Sequence, residues 1–198
     1  MQQRSEETRE RILSTALACF AEAGYDATGV ATICQRAGVS KGAFYHHFAS
    51  KQALFLALLA EWLDTIDQQM AATRSTAGTV PQELETMAGT FGQVFQDASG
   101  NLPLFLQFWT QAAKEPVVWE ATMAPFRRYR ELFADIIAAG IAEGSLRATD
   151  PQLAAHALVS LAVGMLLQGV LDPAGADWAQ VAEEAVQLLL DGMLRRES

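Results

Sequence analysis

The sequence predicts an all-α fold in which a small N-terminal three-helix domain is joined to a larger helical domain. Three observations lead there. Apolar residues recur at helical spacing nearly throughout, and the alternation of a half-buried strand is almost absent. Residues that cap helices stand at the heads of the periodic segments, and glycines close several of them. After "TRSTAGTVP" (residues 73–81) the pattern changes, and the helices beyond it are longer and more apolar.

Ser5 is expected to cap the first helix, with Glu6 and Glu7 in the turn where carboxylates favour the helix dipole. Its apolar face is Ile12, Leu13, Ala16, Leu17 and Phe20, and Gly24 ends it. Thr28 and Gly29 open a short second helix with Val30 and Ile33 inward, and Gly38 stops it. Ser40 can cap a third short helix that holds Phe44 inward. Ser50 can cap a long fourth helix whose Leu54, Phe55, Leu58, Trp62 and Ile66 share one face. Further helices are expected over roughly 82–98, 102–114, 117–143, 151–171 and 177–195. Asp150–Pro151 sets a capping side chain before a proline at the first helical position, where no N–H is needed. The domains are therefore placed at 1–50 and 51–198, the second opening with a connecting helix.

With 198 residues, 51% of them hydrophobic, the chain can bury a core. No run approaches ~18 uninterrupted apolar residues, so no membrane helix is expected. The N-terminus lacks the apolar block and cleavage site of a signal peptide. Cys19 and Cys34 show no metal-ligand spacing and read as buried thiols of a reducing cytosol. The net charge of −9 is unevenly spread. Residues 1–51 hold six Lys/Arg and five Asp/Glu, whereas the remainder holds eight and eighteen. Only the N-terminal quarter can approach a polyanion without strong repulsion. No nucleophile elbow, phosphate loop or metal-ligand set appears, so neither an enzyme nor a cofactor is expected.

Two short helices around a glycine-containing turn, braced by longer helices, form a helix-turn-helix pattern. The second short helix must protrude into a DNA major groove ~12 Å wide and be held rigidly. Val39 and Phe44 can dock inward while Lys41, Ala43, Tyr45 and His46 point out. Gly42, without a Cβ, lets the helix approach DNA closely at a helical cost of ~1 kcal/mol. Tyr45 and His47 can hydrogen-bond phosphates, and Lys51 can clamp one from the flank. Ala43 offers a methyl suited to a thymine methyl. The adjacent pair His46 and His47 point ~100° apart on a helix and chelate a metal poorly.

The stretch "GYDATGVATICQRAGVSKGAFYHHFASKQALFLALL" resembles the DNA-binding domain of the TetR family of bacterial transcriptional regulators. The likeness covers about residues 5–60. The glycine-aromatic pair, Ile33, Ala37-Gly38-Val39-Ser40, Lys41-Gly42, Tyr45, His47-Phe48, Ser50-Lys51 and Leu54-Phe55 all fall in register. The resemblance implies DNA contacts at Ala31, Ser40, Lys41, Gly42, Ala43, Tyr45, His46, His47 and Lys51. Gly29, Ala31, Thr32 and Cys34 depart from the family's pattern, and the first two weaken the contacts expected of the second helix.

The resemblance further implies a C-terminal domain that binds a small effector and dimerises. The helix over 151–171 is apolar nearly all round and rich in small residues, and the last helix offers Val181, Ala185, Leu188, Leu189 and Met193. These two helices can form a four-helix seam between copies, or fill their own chain's core. Candidates for the effector pocket are Phe91, Phe95, Phe105, Phe108, Trp109, Trp119, Met123 and Phe126, which would serve equally in an ordinary core. Gln107, Gln111, His156 and Gln168 are polar punctuation that could orient a ligand, with His156 expected as a hydrogen-bonded core histidine. Arg127, Arg128 and Arg130 read as a solvated face. The expected function is a cytoplasmic, homodimeric, ligand-responsive regulator that leaves a palindromic operator when a small hydrophobic effector binds. The alternative is a ligand-binding protein on the same scaffold with little DNA affinity.

Overall fold

The computed structural model describes residues 2–74, 78–87, 89 and 102–194, excepting the side chains of 2, 73, 74, 102, 103, 105 and 108. Every regular element among them is an α-helix. The chain divides into two compact units, Met1–Asp64 with Pro103–Thr122, and Thr65–Leu102 with Met123–Ser198. The division falls at 64/65, not at 50/51, and the first unit takes back twenty residues from the second half of the chain.

In the first unit, α1 spans Gln2–Ala23. It starts ahead of Ser5, which lies inside the helix and not at its cap; Gln2, Gln3 and Arg4 are fair helix formers and extend it. Gly24, at φ +84°, turns the chain out of it. The second helix, α2 (Val30–Ala37), ends on Gly38 at φ +66°. The amides of Gly38 and Val39 reach back to the carbonyls of Gln35 and Cys34 at 3.3 and 3.0 Å, a paired closure that needs a left-handed residue at position 38. Ser40 caps α3 (Lys41–His47), its Oγ accepting the Ala43 N–H at 3.1 Å. Ser50 caps α4 (Lys51–Arg74) through the Ala53 N–H at 3.0 Å. Later in the chain come α5 (Leu102–Ala112) and the long α6 (Pro116–Glu143), whose residues up to Thr122 belong to this unit.

One core explains the division. Ile12, Leu13, Ala16 and Phe20 of α1 meet Ile33, Cys34 and Ala37 of α2, Phe44 of α3, and Leu54, Phe55, Leu58 and Leu59 of α4. Leu104, Ala112 and Val118 join the same cluster, which draws α5 into the first unit. Phe20, Tyr25 and Phe55 pack as an aromatic trio with centroids 4.5–5.6 Å apart. Cys19 and Cys34 are free, buried thiols in this core.

In the second unit the backbone is helical over 80–87, and α6 continues through the interior proline Pro125. α7 (Pro151–Leu171) is capped as expected, Asp150 accepting the amides of Gln152 and Leu153 at 2.9 and 3.4 Å. α8 (Trp178–Asp191) stops four residues short of the expected 195. Val80, Leu84, Met87, Ile136, Ile137, Leu146, Leu158, Met165, Val186 and Leu190 form the core. A Cβ on Gly140 would lie 2.7 Å from Val80 and Leu146, so that glycine permits the packing. The remainder of the helix expected over 82–98 lies outside the described residues, apart from Gly89.

Length and composition alone would let α7 cross a bilayer, a property that counting uninterrupted apolar runs does not register. Its polar residues, Gln152, His156, Ser160 and Gln168, are few and carry no formal charge when the histidine is neutral. One face, with Ala154, Ala155, Leu158, Met165 and Leu166, is buried in its own unit. Leu153 and Leu171 on the other are 67% and 70% exposed, as is Leu188 of α8 at 75%.

Candidate nucleic-acid interface

The first unit presents α3 as an exposed ridge on a fixed base. Phe44 is fully buried and Val39 packs against the same core, so the helix is pinned from beneath. Lys41, Gly42, Tyr45 and His46 are exposed, and Ala43 and His47 half-buried. The ring of Tyr45 stands edge-on to Phe44 at 5.3 Å, which orients its hydroxyl without burying it. A Cβ at Gly42 would meet only Ser40 Oγ at 3.7 Å, so the space beside it is open on the protein side. Ser40 is exposed but its hydroxyl oxygen is committed to the cap. Ala31 is exposed on α2. Burial holds the His47 imidazole below its ordinary range, with the charges of His46 and Arg9 adding to the effect. It is therefore neutral at pH 7 and can donate or accept one hydrogen bond without charge.

Most cations near this ridge are already engaged. Arg36 of α2 forms two hydrogen bonds with Glu22 of α1, at 2.6 and 2.9 Å, and holds that carboxyl below its usual range. Arg9 pairs with Glu61 at 2.7 Å and lies over the Phe48 ring. Arg11 donates to the Ala37 carbonyl at the end of α2. Lys51 is turned inward: its Nζ donates to the carbonyls of Tyr25 and Thr28 at 2.7 and 3.0 Å. Lys51, expected to clamp a phosphate from the flank, is thus bonded within its own unit. Lys41 stays exposed with no ion pair among the described residues.

Gln107 and Gln111, read from sequence as ligand-orienting, serve the first unit instead. The Gln107 amide accepts the Tyr25 N–H at 2.8 Å and donates to the Phe20 carbonyl at 2.9 Å. Gln111 and Lys114 both donate to Asp26 at 3.1 Å, and this lowers the Asp26 pKa. Gln107 and Gln111, at i and i+4, form a polar stripe on the apolar α5, and Lys114 follows in the turn beyond its end.

The described effector candidates are divided between the two units. Phe91 and Phe95 lie outside the described residues, as do the side chains of Phe105 and Phe108. Trp109, half-buried, and Trp119, 47% exposed, belong to the first unit. Met123 and Phe126, both half-buried, belong to the second. His156 and Gln168 lie on the exposed side of α7, not in a core. The His156 Nδ1 is 2.8 Å from the Gln152 carbonyl, and Gln168 donates to that of Gly164. Arg128 is not simply solvated: it and the Tyr129 hydroxyl both bond to Asp67 of α4, with contacts of 2.5–2.7 Å. No group of three or more His, Cys, Asp or Glu among the described residues could hold a metal.

Residues 12–58 match the family described as bacterial regulatory proteins, tetR family. Residues 82–195 match the family described as BetI-type transcriptional repressor, C-terminal. The HTH-type transcriptional repressor Rv1474c of Mycobacterium tuberculosis is 47% identical over 72 residues, 36% of this chain and 36% of that one. This chain thus spans about a third of that relative's length. The HTH-type transcriptional repressor KstR2 of Mycolicibacterium smegmatis is 29% identical over 141 residues, 70% of this chain and 67% of that one. A TetR transcription regulator from Haloarcula marismortui shares the fold with a TM-score of 0.85 at 17% identity, over 96% of this chain and 100% of that one. A Saccharomonospora viridis protein solved in complex with choline gives 0.80 at 21% identity, over the same shares. The helix-turn-helix geometry and both family matches, the second spanning more than half its length, agree: the chain belongs to the TetR family of bacterial regulatory proteins, with a C-terminal region of the BetI type.

Proposed function

We propose that this regulator is a cytoplasmic homodimer that represses by binding a palindromic or near-palindromic operator, and that a small effector in the C-terminal domain releases it. The observation that carries the reading is the α3 ridge: Lys41, Gly42, Tyr45 and His46 exposed on a helix capped by Ser40 and pinned by Phe44. Ala31, Ala43 and His47 complete the contact set, with Ser40 as its cap. In a two-fold dimer the two ridges would enter major grooves about one helical turn, ~34–36 Å, apart. The exposed leucines of α7 and α8, Leu153, Leu171 and Leu188, support these helices as the seam between copies. An apolar seam there also accounts for the composition of α7 without a membrane.

An effector acts by its differential affinity for a state whose ridges are wrongly spaced. The aromatic-rich stretch 87–126 supports a hydrophobic or aromatic effector. Choline, held by the S. viridis protein, joins such compounds as a probe. The test is binding of purified protein to the DNA flanking its own gene, against a scrambled duplex, at two salt concentrations, followed by selection from random sequence. Specific binding that weakens with salt supports the reading. A folded dimer that selects no sequence overturns it.

A further inference from the structure

We propose that Lys51 is a positioning residue of the DNA-reading unit and makes no phosphate contact: with Gln107 it straps the corner between α1 and α2, and thereby sets where α2 begins. The inference rests on the DNA-binding reading above.

The corner is Gly24–Thr28, and side chains from two helices converge on its backbone. From α4, the Lys51 ammonium donates to the carbonyls of Tyr25 and Thr28 and lies 4.2 Å from the centre of the Tyr25 ring. An ammonium has three donors in a compact head. Two carbonyls and an aromatic face take up those directions. A phosphate could recruit this group only by breaking bonds that the corner needs. Burial lowers the Lys51 pKa, with Asp26 opposing, as befits a partly sequestered cation. From α5, Gln107 holds the Tyr25 N–H and the Phe20 carbonyl, while Gln111 of α5 and Lys114 just beyond its end hold Asp26. Within the corner, the Thr28 hydroxyl reaches the carbonyls of Gly24 and Cys19 at 2.8 and 3.1 Å.

The start of α2 makes this necessary. Gly29 is its N-cap and supplies no side-chain cap, whereas Ser40 supplies one to α3. A short helix without its own cap takes its starting position from the chain that precedes it. Thr28, one residue before Gly29, is the point at which Lys51 holds that chain. Phosphate binding then falls to Lys41, which is exposed and carries no ion pair among the described residues.

The experiment compares full-length Lys51→Met, Gln107→Leu and Lys41→Ala with the wild type, on the selected operator, across a range of salt. Lys51→Met and Gln107→Leu should each weaken binding roughly tenfold, with the salt slope unchanged. The double variant should lose less than the product of the two, because both act on one corner. Lys41→Ala should flatten the slope by ~0.9 per half-site, ~1.8 for a dimer. The proposal is overturned if Lys51→Met flattens the slope as Lys41→Ala does, or binds at full strength. Amide exchange in the free protein provides a second readout that needs no DNA. Loss of protection at Tyr25 and in the first turn of α2, in both strap variants, is expected; wild-type protection in both would also overturn the proposal. A wild type that binds no operator counts against the DNA-binding reading, and the exchange result still decides the strap.

Discussion

The two units use apolar surface in opposite ways around α3 and on α7 and α8. In the recognition half of the first unit, Phe20, Phe44 and Phe55 are fully buried, and the exposed side of α3 carries Lys41, Gly42, His46 and Tyr45, whose ring is about half exposed and bears a polar hydroxyl. On α7 and α8, leucines stand open: Leu153, Leu171 and Leu188 are each at least two-thirds exposed. The first region is finished within one chain and offers polar atoms to a polar partner. The second is unfinished within one chain, since apolar side chains left in water favour a partner that covers them. Substitutions at the two places should therefore fail differently.

The largest effect is expected at Phe44. Phe44→Ala removes a fully buried ring from the only large inward position of α3 and should cost about 3–5 kcal/mol. Calorimetry should show the first unit melting early, with operator binding lost at temperatures where the dimer persists. A dimer that dissociates together with that melting would show that the two regions are not separable. A smaller effect is expected at Leu188. Leu188→Ala alters a side chain 75% exposed in the single chain, so the fold of one copy should change by no more than about 0.5 kcal/mol. Association should weaken by ~1–3 kcal/mol as the buried leucine area is lost from the seam. Sedimentation over a dilution series reads this directly, and an unmoved dissociation constant would place the seam elsewhere.

The same contrast governs what could be read from the sequence. Gly38, Ser40 and Ser50 declared their roles because each answers a local backbone demand: a left-handed residue or an oxygen facing a free amide. Phe44 and Leu54 declared theirs through spacing. Ser5 misled because a capping residue type also tolerates a helix interior when good helix formers precede it. The inward turn of Lys51 was not legible because sequence gives a cation's position and not its direction; the carbonyls that turn it inward lie more than twenty residues away. Gln107 was visible as polar in an apolar helix, but its partner is over eighty residues distant, and no periodicity carries that information. His156 was expected inside because its helix is apolar nearly all round. In a helix with two apolar faces, composition cannot say which faces its own core.

The smallest expected effect is also the one whose sign separates contact from support. Burial lowers the His47 pKa below its ordinary ~6.5, and the nearby charges of His46 and Arg9 act in the same direction. For the free protein this makes protonation unfavourable to the fold. The stabilising preference for neutral His47 is fully present above the unfolded value of ~6.5 and is lost as pH falls through the lower folded value. A phosphate beside the ring reverses the sign. It raises the pKa in the complex, so DNA binding takes up protons, and affinity rises as pH falls from the complexed value toward the free one, levelling off below it. The uptake is limited to about one proton per half-site, which caps the slope at about two for a dimer. His47→Gln should remove the rise, and His46→Gln, which leaves His47 in place, should keep it. Titrating operator affinity between pH 7.5 and pH 5.5, with the melting temperature followed in parallel, reads both signs at once. Affinity that strengthens while the fold weakens puts His47 on the DNA. Affinity that weakens along with the fold makes the half-buried ring a support for α3, and leaves Tyr45 and Lys41 to carry the phosphate contacts of that helix.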